Sequence, residues 1–199
     1  MPVVKPTMVI LAVLALGVIL YFRDALHLSI SRPGRRFTQV HPWEKWLHPA
    51  KAVAVAAWLW VVGATDLDRP IFPFLPDAAV AAVGWAGVGL AVSGTVFACW
   101  AKVTLGAQFA SRLALHEHHA LITTGPYRIT RHPIYTGVLL ILWGVVLAGN
   151  SLAGLLTWGG FFSLMLYVHT IGEESLLESR FGETYRAYRN AVPRLLPRV

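Results

Sequence analysis

Ile134-Tyr-Thr-Gly-Val-Leu-Leu-Ile-Leu-Trp-Gly-Val-Val-Leu-Ala148 and Leu152-Ala-Gly-Leu-Leu-Thr-Trp-Gly-Gly-Phe-Phe-Ser-Leu-Met-Leu-Tyr-Val-His-Thr-Ile171 are two apolar runs separated only by Gly149, Asn150 and Ser151. Neither run carries a Lys, Arg, Asp or Glu. So short a linker forces consecutive helices to run side by side, and the pair reads as a tight antiparallel hairpin. A helix crossing ~30 Å of hydrocarbon needs roughly 20 residues at about 1.5 Å each. The second run meets that length, and the first has to borrow flanking residues.

Outward from the hairpin, further apolar runs cover Thr7 to Phe22, Ala50 to Ala64 and Ala78 to Val103. Of the 199 residues 56% are hydrophobic and 14% charged, with mean hydropathy +0.57, which suits a bilayer better than water. The chain therefore reads as an all-α integral membrane protein with five transmembrane helices. Only Lys5 precedes the stretch Val9 to Phe22, no small-residue cleavage pattern follows it, and Arg23, Arg32, Arg35 and Arg36 come after, so it is read as a retained span. Thr65 to Asp77, with Pro70, Pro73 and Pro76, cannot continue a helix and reads as an extracytoplasmic loop.

Six basic residues (Arg23, Arg32, Arg35, Arg36, Lys45, Lys51) follow the first run, four (Lys102, Arg112, Arg128, Arg131) the third, and five (Arg180, Arg186, Arg189, Arg194, Arg198) the fifth, so 15 of 17 fall on one side. The positive-inside rule then places the N-terminus outside and the C-terminus in the cytoplasm. That pattern accounts for the net charge of +7 without a nucleic-acid partner. Trp43, Trp46, Trp58 and Trp60 bracket the second run as interfacial anchors contacting membrane lipids. Gly84, Gly87, Gly89, Ser93 and Gly94 in the third run allow close helix approach, either within one chain or between two copies as a homodimer. Cys99, alone in an apolar stretch, reads as a packing residue. Enrichment in Ala, Val, Gly and Arg points to a prokaryotic plasma membrane.

The polar chemistry concentrates in His119-Ala-Leu-Ile-Thr-Thr-Gly-Pro-Tyr-Arg-Ile-Thr-Arg-His-Pro-Ile-Tyr-Thr-Gly137. Pro133 suits a first helical turn, which makes His132 the cap residue. Arg131 beside a helix N-terminus is unfavourable unless both share an anion, such as a ligand carboxylate; the plainer reading has Arg131 snorkel to lipid phosphate. Glu173 and Glu174 follow the fifth run without a break, and adjacent acids at a membrane boundary need cations or hydroxyl donors. His169 lies four residues before Glu173, on the same helical face. The hairpin brings an anion-seeking element before one span level with a cation-seeking element after the next. S-adenosylmethionine, with a carboxylate, an ammonium, a ribose and a sulfonium, fits such a pairing. His116, Glu117, His118 and His119 read as a solvated loop rather than a metal site. Phe181-Gly182 reads as a helix end with Gly182 at positive φ, followed by a short amphipathic cytoplasmic helix from Glu183 to Val192.

Arg131-His-Pro-Ile-Tyr-Thr-Gly137, preceded by His119 and Gly125-Pro-Tyr127 and followed by Glu173-Glu174, Phe181-Gly182-Glu183-Thr-Tyr185, Tyr188 and Pro193, resembles the isoprenylcysteine carboxyl methyltransferase family and its prokaryotic relatives. The similarity runs from about Leu105 to Pro197. Membrane phospholipid methyltransferases and some membrane sterol reductases share parts of the pattern. The resemblance implies a cofactor pocket beneath the last two spans, closed by the cytoplasmic C-terminal helix and holding S-adenosyl-L-methionine. It places cofactor contacts on His119, Ala120, Leu121, Ile122, Tyr127, His132, Pro133, Ile134, Tyr135 and Glu173. His169 stands where the family has an arginine for the substrate carboxylate, and a histidine offers neither a permanent charge nor a bidentate fork.

The implied organisation is a three-span region over residues 1–104 and a methyltransferase region over 105–199, in one structural domain. The implied activity is methylation of a carboxylate or other nucleophile on a small or lipid-like acceptor at the cytoplasmic face, with Arg131, His169 and Glu174 as catalytic candidates. A carboxylate acceptor needs no base, whereas an amine or hydroxyl would call on His169 or Glu174. The rival readings are a nicotinamide-dependent membrane reductase with a similar pocket and a non-enzymatic membrane subunit.

Overall fold

In a computed structural model, the structure describes residues 37–40, 70–106, 114–116 and 120–195. The expected first and second spans, the tryptophans around the second and His119 lie outside the described residues. The described chain is mostly helical: α1 spans Asp77–Leu105, α2 Pro133–Gly149, α3 Leu152–Phe181 and α4 Glu183–Ala191. Two strands, β1 (Phe37–Val40) and β2 (Ala114–His116), pair antiparallel with Phe37 opposite His116 and Val40 opposite Ala114. No expectation from the sequence included this ribbon, because strands of three or four residues leave too short a pattern to stand out.

α1 and α3 are long and apolar enough to cross a membrane, and only 28% and 11% of their most apolar windows are buried inside the protein. The core helix of a water-soluble domain would hide most of such a surface. Here Val96, Val103, Leu156 and Leu164 point outward, each more than half exposed, and an apolar solvent is what stabilises them. α2, at 17 residues, is the short partner expected from its run.

Glycines set the α1/α2 contact. A Cβ on Gly87 would sit 2.6 Å from the Gly144 carbonyl oxygen, and one on Gly94 would sit 2.5 Å from that of Gly137. As α1 advances from Gly87 to Gly94, its partner retreats from Gly144 to Gly137, so the helices are antiparallel and touch backbone to backbone. Without an oil–water difference to drive them together, membrane helices associate through such close packing. Gly89 faces the other way, and a Cβ added there would meet nothing within 4 Å.

The ends of this bundle differ in kind. At one, Asn150 adopts φ 46° to close the α2/α3 turn, and its Oδ1 accepts from the amides of Ile71 (3.0 Å) and Phe72 (3.1 Å) ahead of α1. At the other end α1 finishes beside Gly125, whose added Cβ would meet Thr104, and there the chain gathers Arg128, Arg131, Arg180 and the whole of α4. α3 carries a π-helical stretch over Leu155–Phe162 and then runs unbroken past Glu173 and Glu174. It stops at Gly182, where φ is 51°, a value glycine adopts without strain.

Candidate active site

The site is built around the start of α2. His132 is the residue capping that helix and Pro133 its first, as the sequence required. Preceding them, the 3-10 turn Gly125–Arg128 buries Tyr127, and from there the chain runs straight to Thr130 and Arg131. After α4, Pro193 holds Val192 in extended geometry (φ −121°, ψ 131°), so the following residues form a strap with free carbonyls. That strap lies along the α2 entrance: the Arg131 amide donates to Pro193 O (2.9 Å) and the His132 amide to Arg194 O (3.1 Å). The Thr130 hydroxyl donates to Arg194 O, and Thr136 Oγ1 to Leu195 O, each at 2.7 Å.

Glu174 sits at the centre. Arg131 donates Nε (3.0 Å) and Nη2 (2.8 Å) to its Oε1, while Arg194 donates Nε to Oε1 (3.0 Å) and Nη2 to Oε2 (2.7 Å). His132 Nε2 lies 3.1 Å from the same Oε1. With side-chain exposures of 8% for Arg131 and 6% for Glu174, this is a buried network whose members satisfy one another. The remaining Nη1 of Arg131 donates to the carbonyls of Arg189 (2.6 Å) and Val192 (3.1 Å), capping the C-terminal turn of α4. Arg131 thus meets an anion supplied by the chain itself, and it is turned away from lipid phosphate.

Glu173 and His132 make the second layer. His132 Nδ1 is 3.6 Å from Glu173 Oε2, too long for a hydrogen bond, and among the described residues that buried oxygen has no hydrogen-bond partner although the side chain as a whole is 38% exposed. The Tyr135 ring lies between His132 (5.7 Å between centroids) and His169 (5.6 Å). The structure therefore gathers Tyr127, Arg131, His132, Pro133, Tyr135, His169, Glu173 and Glu174 at one end of the hairpin. Ile134 is half-buried in the first turn of α2, Ala120 is exposed, and Leu121 and Ile122 are half-buried on the segment leading to the 3-10 turn.

Burial of the Tyr127 phenol, reinforced by the nearby Glu173 charge, pushes its pKa far above the ordinary value; burial likewise raises Tyr188, to about 12. Both stay neutral donors, and Tyr188 uses its hydroxyl on the Tyr127 carbonyl at 2.7 Å. The hydroxyl of fully buried Tyr185 has no hydrogen-bond partner among the described residues. Burial alone would lower the His132 pKa, but the close approach of the Glu173 carboxylate, the hydrogen bond to Glu174 and the charge of both acids outweigh it and raise the net value. A folded value above the unfolded one contributes stability that is complete below about pH 6.5 and lost as pH rises through the folded value. The melting midpoint of solubilised protein should therefore fall from mildly acidic to alkaline pH, with a smaller slope in His132→Gln. A wild-type midpoint that stays level over that interval would mean the folded imidazole is neutral.

The sequence profile of the phospholipid methyltransferase family matches residues 83–184, just over half of the chain. The chain belongs to that family. The matched stretch begins inside α1 and ends in the first turn of α4, so it includes both close glycine contacts and the acid pair. Among curated proteins, this family member is 34% identical over 124 residues to a probable protein-S-isoprenylcysteine O-methyltransferase of Oryza sativa subsp. indica, covering 58% of this chain and 61% of the relative. It is 35% identical over 106 residues to the protein-S-isoprenylcysteine O-methyltransferase of Schizosaccharomyces pombe, covering 50% and 43%. It is also 36% identical over 75 residues to methanethiol S-methyltransferase 2 of Bradyrhizobium diazoefficiens, covering 37% and 27%. The aligned part thus spans about three fifths or less of these relatives' lengths.

Sequence reasoning missed Arg194 as a site residue, together with Thr130, Thr136 and the strap. Arg194 is 20 residues from Glu174 and 62 from His132, and no periodicity links such positions. The one usable signal was Pro193, which had to end α4 and leave carbonyls available.

Proposed function

We propose that this protein is an integral membrane methyltransferase using S-adenosyl-L-methionine and acting on a small or lipid-like acceptor at the cytoplasmic face. The observation that carries the reading is Glu173 Oε2, a buried acceptor with no hydrogen-bond partner among the described residues, inside a cluster otherwise rich in mutual contacts. A buried carboxylate oxygen in that state has the character required by an ammonium or ribose hydroxyl. The start of α2, where backbone amides and the helix dipole favour an anion, complements a carboxylate. When bound, the sulfonium supplies an electrophilic methyl group. His119, Ala120, Leu121, Ile122, Tyr127, His132, Pro133, Ile134, Tyr135 and Glu173 are the residues that would hold the donor.

The chain's own work is then positioning and exclusion of water. α4 and the strap cover the entrance to α2, Arg131 holds them there, and neutral Tyr127 and Tyr188 seal the side. Glu174, saturated by cations, fixes this cover and takes no proton, whereas His169 remains the candidate base for an acceptor that needs one. The relatives reported above are all methyltransferases by name, and no contact in the site favours a nicotinamide or a non-enzymatic role. Multi-pass topology with the N-terminus outside, a prokaryotic plasma membrane and the methyl-transfer role of residues 105–199 belong to the same proposal. A homodimer through the Gly-rich span would have to use the Gly89 side, since Gly87 and Gly94 are taken up by α2.

The test is calorimetry with S-adenosylmethionine on folded, solubilised protein. Glu173→Gln should weaken binding by about 10- to 100-fold, the effect of losing a hydrogen bond to a charged group worth about 1.5–3 kcal/mol. Unchanged affinity in that variant would remove Glu173 from the donor site, and no heat with wild-type protein would remove the donor itself.

A further inference from the structure

Tyr185 and Tyr188 lie three residues apart on one face of α4, and their hydroxyls fare differently. Tyr188 donates to the Tyr127 carbonyl at 2.7 Å. Tyr185, in ring contact with Tyr188 at 6.2 Å between centroids, has no hydrogen-bond partner for its hydroxyl among the described residues, although it is the more deeply buried of the two, with 0% exposure. A buried hydroxyl in that state has lost its hydration for no return, and a phenylalanine would fill nearly the same volume without that penalty. Buried polar groups are satisfied in the great majority of cases, so this one calls for a reason.

The surroundings of the hydroxyl supply it. Burial raises the Tyr185 pKa well above the ordinary value, the Glu174 charge raises it further, Arg131 opposes and Glu173 adds again. The phenol is therefore neutral, and the two acids together outweigh Arg131 at its oxygen. Glu174 makes its bonds with Arg131, His132 and Arg194 instead of with this hydroxyl. Glu173 Oε2 is a second buried oxygen of the same cluster without a hydrogen-bond partner among the described residues. A carboxylate oxygen only accepts, and a neutral phenol oxygen accepts as well as donates. An ammonium brings three donors and a positive charge, so it suits both oxygens and the sign of the field they share.

Building on the methyltransferase reading, we propose that Tyr185 is a donor-binding residue, whose hydroxyl oxygen accepts a hydrogen bond from the ammonium of S-adenosylmethionine beside Glu173. The contact comes from the first turn of α4, three residues after Gly182, so the cover over the α2 entrance contributes a binding contact as well as excluding water.

The probes are S-adenosylhomocysteine and its analogue with hydrogen in place of the amino group. Affinities are measured on full-length protein in nanodiscs, by calorimetry for the first and by displacement of labelled S-adenosylhomocysteine for the weaker analogue. Tyr185→Phe should bind S-adenosylhomocysteine about 10- to 100-fold more weakly than wild type, the range for one hydrogen bond to a charged group, and should bind the analogue as wild type does. Its melting midpoint without ligand should match or exceed that of wild type, because the substitution removes a hydroxyl that is buried and has no described partner. Equal affinity of the two proteins for S-adenosylhomocysteine would overturn the proposal. An equal loss on both probes would overturn it by setting the hydroxyl against another part of the donor. A variant that does not fold, or that melts lower with its affinity intact, would make the hydroxyl structural and overturn it as well. Failure of the donor reading itself is distinguishable, since wild-type protein would then take up neither probe.

Discussion

Glu174→Gln is expected to cost about 3–5 kcal/mol of stability, the range for removing one partner from a buried ion pair. The loss is large because two guanidiniums converge on this carboxylate, and an amide leaves both with an uncompensated charge in a pocket where Arg131 is only 8% exposed. The cover formed by α4 and the strap should loosen with it, since Arg131 would no longer be held to cap the carbonyls of Arg189 and Val192. The measurements are the melting midpoint in detergent and limited proteolysis after Gly182, where cleavage should accelerate well before global unfolding. Glu174→Asp, which keeps the charge, should recover part of the loss. Were Glu174→Gln to melt like wild type and lose turnover alone, Glu174 would be a proton acceptor and its bracing role would be wrong.

The second large effect belongs to the helix contact. Gly144→Leu puts a Cβ 2.5 Å from the Gly87 carbonyl oxygen and 2.8 Å from the Ala91 amide nitrogen, and both of those atoms are backbone that cannot rotate away. The cost should reach or exceed about 3 kcal/mol, the upper end for overpacking, with Gly94→Leu behaving alike against Gly137. Gly89→Leu supplies the control, because nothing stands near its Cβ position and the midpoint should hold. A Gly144→Leu protein as stable as wild type would mean that the two helices are not in backbone contact. A Gly89 substitution that breaks an oligomer on sizing would reveal a second copy on that face.

How far the sequence carried each of these conclusions depends on the range of the signal. The hairpin, Pro133 at the start of α2 and the glycine ending α3 were legible because their causes are local: an apolar run, a fixed φ, a missing Cβ. The pairing of an anion-seeking helix start with Glu173 and Glu174 was legible because a three-residue turn leaves two helices no other arrangement. What escaped was whatever depended on main-chain carbonyls. The strap is recognised through Pro193, Arg194 and Leu195 oxygens, which every sequence possesses, and only the fold reveals that Thr130, Arg131, His132 and Thr136 meet them. Arg131 shows the same limit from the other side. Its need for an anion was evident from its place beside a helix N-terminus, but that the chain itself satisfies that need across 43 residues was not.

The turn at Asn150 has a mechanical consequence. By tethering Ile71 and Phe72 it fastens one rim of the three helices, and the glycine seam stiffens their middle, so the bundle behaves like tongs riveted at that end. The compliance left among the described elements then falls at the opposite rim, where the short amphipathic helix joins α3 through Gly182 alone.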